Sequence, residues 1–172
     1  MHVLQYVAVK AEDSDEALRN VEDTFQRWLG DFESPSGTWY DWFVVGGGRF
    51  VEGDPYASSP NHIVSWNDDP AKFNELVAKA ISNRVEEFNG YRKSLAEKGV
   101  DLEAKLDSYT GEMQYDFELY PLKKMIDMLQ GNWDFNSYFF DLEHDSTNTE
   151  HFRKKIAEGE LDWFLVPVDF HF

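Results

Sequence analysis

The two ends of this chain carry the same order of hydrophobic periods, and that order limits the folds open to it. Residues 3–10 alternate Val3, Gln5, Val7 and Val9 against Leu4, Tyr6 and Ala8, which predicts a strand largely buried on both faces. A turn at Ala11–Asp13 follows. Ser14 is placed to cap a helix, with Asp15 and Glu16 in its first turn. Leu18, Val21, Phe25, Trp28 and Leu29 then form one helical stripe, with Gly30 as its stop. After a loop over 31–38, Trp39 to Val45 predicts a second strand rich in aromatic and β-branched residues.

The last part of the chain repeats this order. Asn136 to Leu142 predicts a short aromatic strand, and Thr147 to Glu150 has the form of a capping box. Phe152 and Ile156 follow at helical spacing before Gly159. Asp162 to Phe170 predicts the final strand, with Trp163, Leu165 and Pro167 on one face and Phe164, Val166, Val168 and Phe170 on the other. Between the halves lie residues 51–131, mostly helical in pattern. Glu52 to Asn67 reads as loop, and Asp69-Pro70 opens a helix with the stripe Phe73, Leu76, Val77, Ala80, Ile81, Val85 and Phe88. That helix ends at Gly90 or runs on to Lys98. Asp101 to Asp107 predicts another helical turn and Tyr109 to Gln114 a loop; a helix after Pro121 stops at Gly131.

The expected fold is therefore α+β: a ferredoxin-like split βαβ sheet, antiparallel, with a mainly helical insertion between the second and third strands. Residues 1–172 form one domain in this reading, and 51–131 are an insertion within it. The second and fourth strands would be the sheet edges, where Pro167 and a run of glycines are best tolerated. Two open edges, one aromatic, make a homodimer an expectation of that topology.

Charge and composition remove several classes of function. Lys+Arg is 16 against 33 Asp+Glu, a net charge of −17, so direct binding to a phosphate backbone is not expected. The acid excess suits a basic surface on another protein, imitation of a nucleic acid, or simple solubility. Cysteine is absent, which excludes disulfides, thiolate catalysis and Cys-based zinc sites. No run of about 18 apolar residues is present and the first residues lack a secretory pattern. The expectation is a cytoplasmic protein without a membrane span.

The densest stretch is Trp39-Tyr40-Asp41-Trp42-Phe43-Val44-Val45-Gly46-Gly47-Gly48-Arg49-Phe50. Its glycines follow a strand, but the spacing fits neither a P-loop nor a dinucleotide fingerprint. One reading is a bulge or turn at positive φ. The other is backbone N–H groups approaching a ligand, with Arg49 adding a fork for a carboxylate or phosphate. Alternation puts Trp39, Asp41, Phe43 and Val45 on one face and Tyr40, Trp42 and Val44 on the other. One face is then core, and the other is either a second layer packed under the insertion or the lining of a pocket or partner surface. Asp41 needs a donor, and Arg49 is the near candidate. Asp141, Glu143, His144 and Asp145 after the third strand, with Asp169 and His171 ending the fourth, would form a metal site if those strand ends met. Their spacing matches no metal motif, so neither metal nor cofactor is expected. No catalytic signature is present.

The same stretch resembles an aromatic-Asp-Trp-aromatic, Gly-Gly-Arg-aromatic signature in a family of small uncharacterised bacteriophage proteins. Chains of that family often end in a strand similar to Val166-Pro-Val-Asp-Phe-His171. This chain departs by an extra glycine before Arg49 and by Phe170 where a smaller residue is common. The resemblance implies phage origin and no particular activity; for a viral protein a host-directed, anti-defence role in the host cytoplasm is the expectation. Combined with the charge, it yields a non-enzymatic binding protein as the expectation. The partner is a host protein or a small nucleotide-like ligand, and a small phage enzyme acting on such a ligand is the alternative. The expected binding residues are Trp39, Tyr40, Asp41, Trp42, Gly46, Gly47, Gly48, Arg49, Asp169 and His171.

Overall fold

The computed structural model describes residues 1–29, 39–52, 56–107 and 116–172. The expected Gly30 stop and the loops at 31–38 and 109–114 lie outside them. Strand β1 is His2–Lys10 and helix α1 is Ser14–Trp28. Asp13, not Ser14, caps α1, its carboxylate accepting the Glu16 N–H at 2.8 Å. β2 is short, Trp42–Val45, and a 3-10 turn at Gly48–Phe50 follows. The middle section holds a two-residue strand, β3 (Val64–Ser65), and three helices: α2 (Pro70–Glu97), α3 (Leu102–Asp107) and α4 (Tyr120–Gln130). α2 is capped by Asp69 and runs straight through Gly90. β4 (Phe139–Asp141), α5 (Glu150–Ala157) and β5 (Trp163–His171) complete the chain. The expected Thr147–Glu150 capping box does not form. Thr147 donates its hydroxyl to the Gly131 carbonyl instead, and Asn148 accepts from the Glu150 N–H.

The sheet is mixed, in the order β2-β5-β1-β4, with β3 beside the first half of β5. β1 and β2 are both antiparallel to β5, which lies between them, so the first strand–helix–strand unit is split as expected. The splitting strand is the fourth rather than the third. The third, β4, lies on the far side of β1 and runs parallel to it. The antiparallel ferredoxin-like sheet is thus corrected: β2 and β4 are the edges and β5 is internal. Pro167 is tolerated there because the outer neighbour of β5 changes at that point. Val168 pairs with Val45 of β2 and Leu165 with Val64 of β3, so the missing donor falls in the gap.

Each face of the sheet has its own core. α1 covers one face, where Phe25, Trp133, Phe140 and Phe170 pack ring on ring, Trp133 and Phe140 at 4.7 Å. Such contacts contribute about 0.5–1.5 kcal/mol per pair beyond burial. Gln5 sits fully buried in this apolar face because its amide is satisfied. It accepts from the Trp133 indole at 2.8 Å and donates to the Asp134 carbonyl at 2.6 Å. α2 and α5 cover the other face, where Phe73, Val77, Ala80 and Phe152 pack with Trp163 of β5. Arg84 on α2 donates to the Met128 carbonyl near the end of α4 at 2.7 Å, tying α4 to α2. Among the described residues no helix is long and apolar enough to cross a membrane.

Candidate functional site

The strand pairing sets the site. Antiparallel register puts His2 of β1 opposite His171 of β5, and Leu4 opposite Asp169. On the other side of β5, Trp42 of β2 also stands opposite His171. His2, Trp42, Asp169 and His171 therefore share one end of the sheet, on the face that α2 covers.

Asp169 is the most demanding member, because it is a carboxylate with no exposed surface in an apolar strand. Two groups compensate it. His2 Nδ1 lies 2.9 Å from Oδ1, and the Arg49 backbone N–H donates to Oδ2 at 3.2 Å. The Arg49 side chain, half exposed, adds Nε at 3.9 Å. The glycines make this approach feasible. Gly46, Gly47 and Gly48 all have positive φ, at 92°, 94° and 46°. A Cβ on Gly46 would stand 2.3 Å from the Ser59 carbonyl oxygen, and one on Gly48 would stand 2.6 Å from Asp169 Oδ2. The loop folds down onto the protein's own carboxylate, so the Arg49 N–H is taken internally and only the guanidinium is left to face a ligand.

A second imidazole–carboxylate pair adjoins the first. His171 Nδ1 is 2.5 Å from Asp41 Oδ1, and that hydrogen bond is the chief reason the Asp41 carboxyl is held below the usual range. Arg49, the expected partner of Asp41, goes to Asp169 instead. The rings of His2, Trp42 and His171 form one cluster: His171 stacks on Trp42 at 5.2 Å, and His2 meets His171 at 4.8 Å and Trp42 at 5.0 Å. An ionised carboxylate only accepts, so both Nδ1 atoms carry the proton. Each Nε2 is then the remaining reactive atom. It accepts when the ring is neutral and donates when it is charged.

Six of the ten expected site residues meet here: Asp41, Trp42, Gly48, Arg49, Asp169 and His171. Gly46 and Gly47 shape the loop. Trp39 and Tyr40 do not join the site. β2 starts at Trp42, so strand alternation does not extend back to them, and both pack into the α1-side core. The Tyr40 hydroxyl donates to the Phe25 carbonyl at 2.8 Å, and burial pushes the phenol well above its ordinary range. His2 was missed. The signal that finds it is the pairing of the first and last strands, which sets His2 against His171.

The acidic ends of β4 and β5 do not meet. β4 runs parallel to β1 and β5 antiparallel, so Asp141 and Asp169 lie at opposite ends of the sheet. Asp141 is buried and meets His144 Nδ1 at 2.8 Å; burial pushes its carboxyl up and the His144 contact opposes this. No cluster of three metal-binding side chains occurs among the described residues. A larger depression, about 690 Å³, lies between α1 and Leu142–Glu143. Its one cation, Arg27, is spent on α1 itself, on the Asp23 carbonyl at 3.3 Å and the Thr24 hydroxyl at 3.2 Å. No family model, curated protein or solved structure matches this chain.

Proposed function

We propose that this chain is a phage-encoded binding protein that counters a host process by holding a small phosphate-bearing, nucleotide-like ligand at the His2–Trp42–Arg49–His171 cluster. One observation carries the reading. In a protein of net charge −17, three cationic or protonatable groups converge beside an indole face, and two of them are fixed in place by carboxylates. A local cluster of this kind binds an anion despite an unfavourable overall field.

Imitation of a nucleic acid by the acidic surface is less well supported. That mechanism needs carboxylates arrayed on one face. Here Asp15 and Glu22 lie on α1, on one side of the sheet, and Glu75 and Glu86 on α2, on the other. Several are also neutralised locally, as by Lys105 between Asp116 at 2.7 Å and Glu118 at 2.6 Å.

Calorimetry with a panel of nucleotides and cyclic nucleotides tests the proposal. Arg49→Ala removes a charge-assisted contact of about 1.5–3 kcal/mol and should weaken binding by about ten- to a hundred-fold without lowering the melting temperature. Absence of heat from every nucleotide overturns the proposal. The His2–Asp169 pair also has the form of a general base, so consumption of a bound nucleotide on prolonged incubation would replace this reading with an enzymatic one.

A further inference from the structure

His2 belongs to two features at once. One side of the ring sits in the cluster with Asp169 and His171. It also lines a cavity of about 260 Å³ between β1 and α2, together with Leu4, Tyr6, Phe50, Lys79, Asn83 and Tyr138. A second cavity of about 280 Å³ shares Leu4, Tyr6 and Phe50 and continues beneath Lys72 toward Ile63. Meeting at those three residues, the two make one cleft, in the range of roughly 300–1,000 Å³ found for small-molecule sites.

The chemistry of the cleft is two-sided. Its floor is apolar and aromatic, and Phe50 is 45% exposed at its lip. Its α2 side is polar. Lys72 is paired with Glu75 at 2.9 Å, whereas Lys79 enters no ion pair among the described residues. Asn83 stands one helical turn beyond Lys79. The hydroxyls of Tyr6 and Tyr138 are pushed up by burial, so both remain protonated donors. Tyr138 also holds a left-handed backbone, φ 57°, fixed by its carbonyl accepting the Tyr6 N–H at 2.9 Å. Such a conformation is costly for a bulky side chain and is found where surroundings force it, often at binding sites.

We infer that this cleft receives the aromatic body of the ligand whose phosphate meets the His2–Arg49–His171 cluster, and that the ligand class is a nucleoside or aryl monophosphate. The inference rests on the anion-binding role proposed above. His2 borders both the cluster and the cleft, so the head and body of the ligand are separated by a single phosphate and not by a polyphosphate chain. Phe50, Tyr6 and Tyr138 contact the flat body, and Lys79 and Asn83 contact its polar edge.

The test compares inorganic phosphate with the four nucleoside 5′-monophosphates and 1-naphthyl phosphate, by calorimetry on the intact protein. At least one aromatic monophosphate is expected to bind ten-fold or more tightly than phosphate. Asn83→Trp, which fills the cleft, should bring that affinity down to the phosphate level while leaving phosphate binding unchanged. Lys79→Glu, at an exposed position, should lower it several-fold and serves if the tryptophan variant fails to fold. Equal affinity for phosphate and every aromatic monophosphate overturns the cleft assignment alone, as does a folded Asn83→Trp variant that binds the monophosphate normally. Failure of phosphate and monophosphates alike overturns the anion site as well.

Discussion

Replacing Gly48 by alanine should destabilise this protein markedly, and the structure says by how much. Gly48 has φ +46°, where an L-residue costs roughly 1–2 kcal/mol. The added Cβ would meet Asp169 Oδ2 at 2.6 Å and Asp169 Cβ at 2.7 Å, against ordinary contact beginning at 3.4 Å. Asp169 cannot swing away, because it is buried, short and held by His2 at 2.9 Å. The turn must therefore lift, and the Arg49 N–H leaves the carboxylate. Losing a hydrogen bond to a buried charge costs about 1.5–3 kcal/mol. Together these give about 2.5–5 kcal/mol, a large part of the roughly 5–15 kcal/mol that a domain has. At this chain length the melting temperature should fall by about 10 °C. Urea unfolding followed by tryptophan fluorescence measures it. Gly48→Asn separates the two causes: asparagine tolerates left-handed backbone but carries the same Cβ, so it should be nearly as damaging as alanine. A Gly48→Ala protein within about 1 kcal/mol of the parent would refute the claim that the loop is clamped on Asp169.

Gly90 provides the opposite case. It lies within α2, and a Cβ there meets nothing within 4 Å; Gly90→Ala should stabilise by about 0.5–1 kcal/mol in the same urea experiment, and a loss would show that α2 is not continuous there. The Asp41–His171 contact should be acid-sensitive in a defined direction. Hydrogen bonding from His171 depresses the Asp41 carboxyl in the folded state, so its contribution is present above the ordinary value of about 3.9 and is lost as pH falls through the folded value. In His171→Gln the Asp41 midpoint, followed by the NMR shift of its carboxyl carbon, should move back up toward 3.9; an unmoved midpoint would sever the proposed link.

The elements were largely legible in the chain, and their arrangement was not. Alternation in β1 and β5 and the stripes of α1 and α2 place those segments closely. Pro167 pulled the reading of β5 toward an edge. The competing signal was stronger: Trp163 to Phe170 is apolar at nearly every position, as a strand buried on both faces requires. A single proline was reconcilable with that run because β5 changes neighbour there. The exchange of the third and fourth strands has a different cause. In the antiparallel arrangement the second and third strands pair, which a tight hairpin enforces. Here β2 and β4 are separated by the whole helical section, so no turn chemistry fixes their relation. A long connection is also what parallel pairing demands. β4 itself has three residues, Phe139–Asp141, too few for a period to reveal its direction.

The site shows where local patterns stop carrying information. Read separately, the glycine run is a turn and the terminal Asp169-Phe170-His171 is a strand end. They explain one another once β5 is internal. A carboxylate on an internal strand must be compensated by groups from elsewhere in the chain. One comes from the antiparallel neighbour: His2 stands on β1, two positions from the residue opposite Asp169. The other is a backbone N–H, and this loop comes so close to the carboxylate that the residue before that N–H can carry no Cβ. Gly48, the residue immediately before the Arg49 N–H, meets that requirement. Gly48 therefore belongs to Asp169 first and brings Arg49 to the surface cluster as a consequence. That ordering is why a substitution at Gly48 should disturb stability and ligand binding together, whereas Arg49→Ala should disturb binding alone.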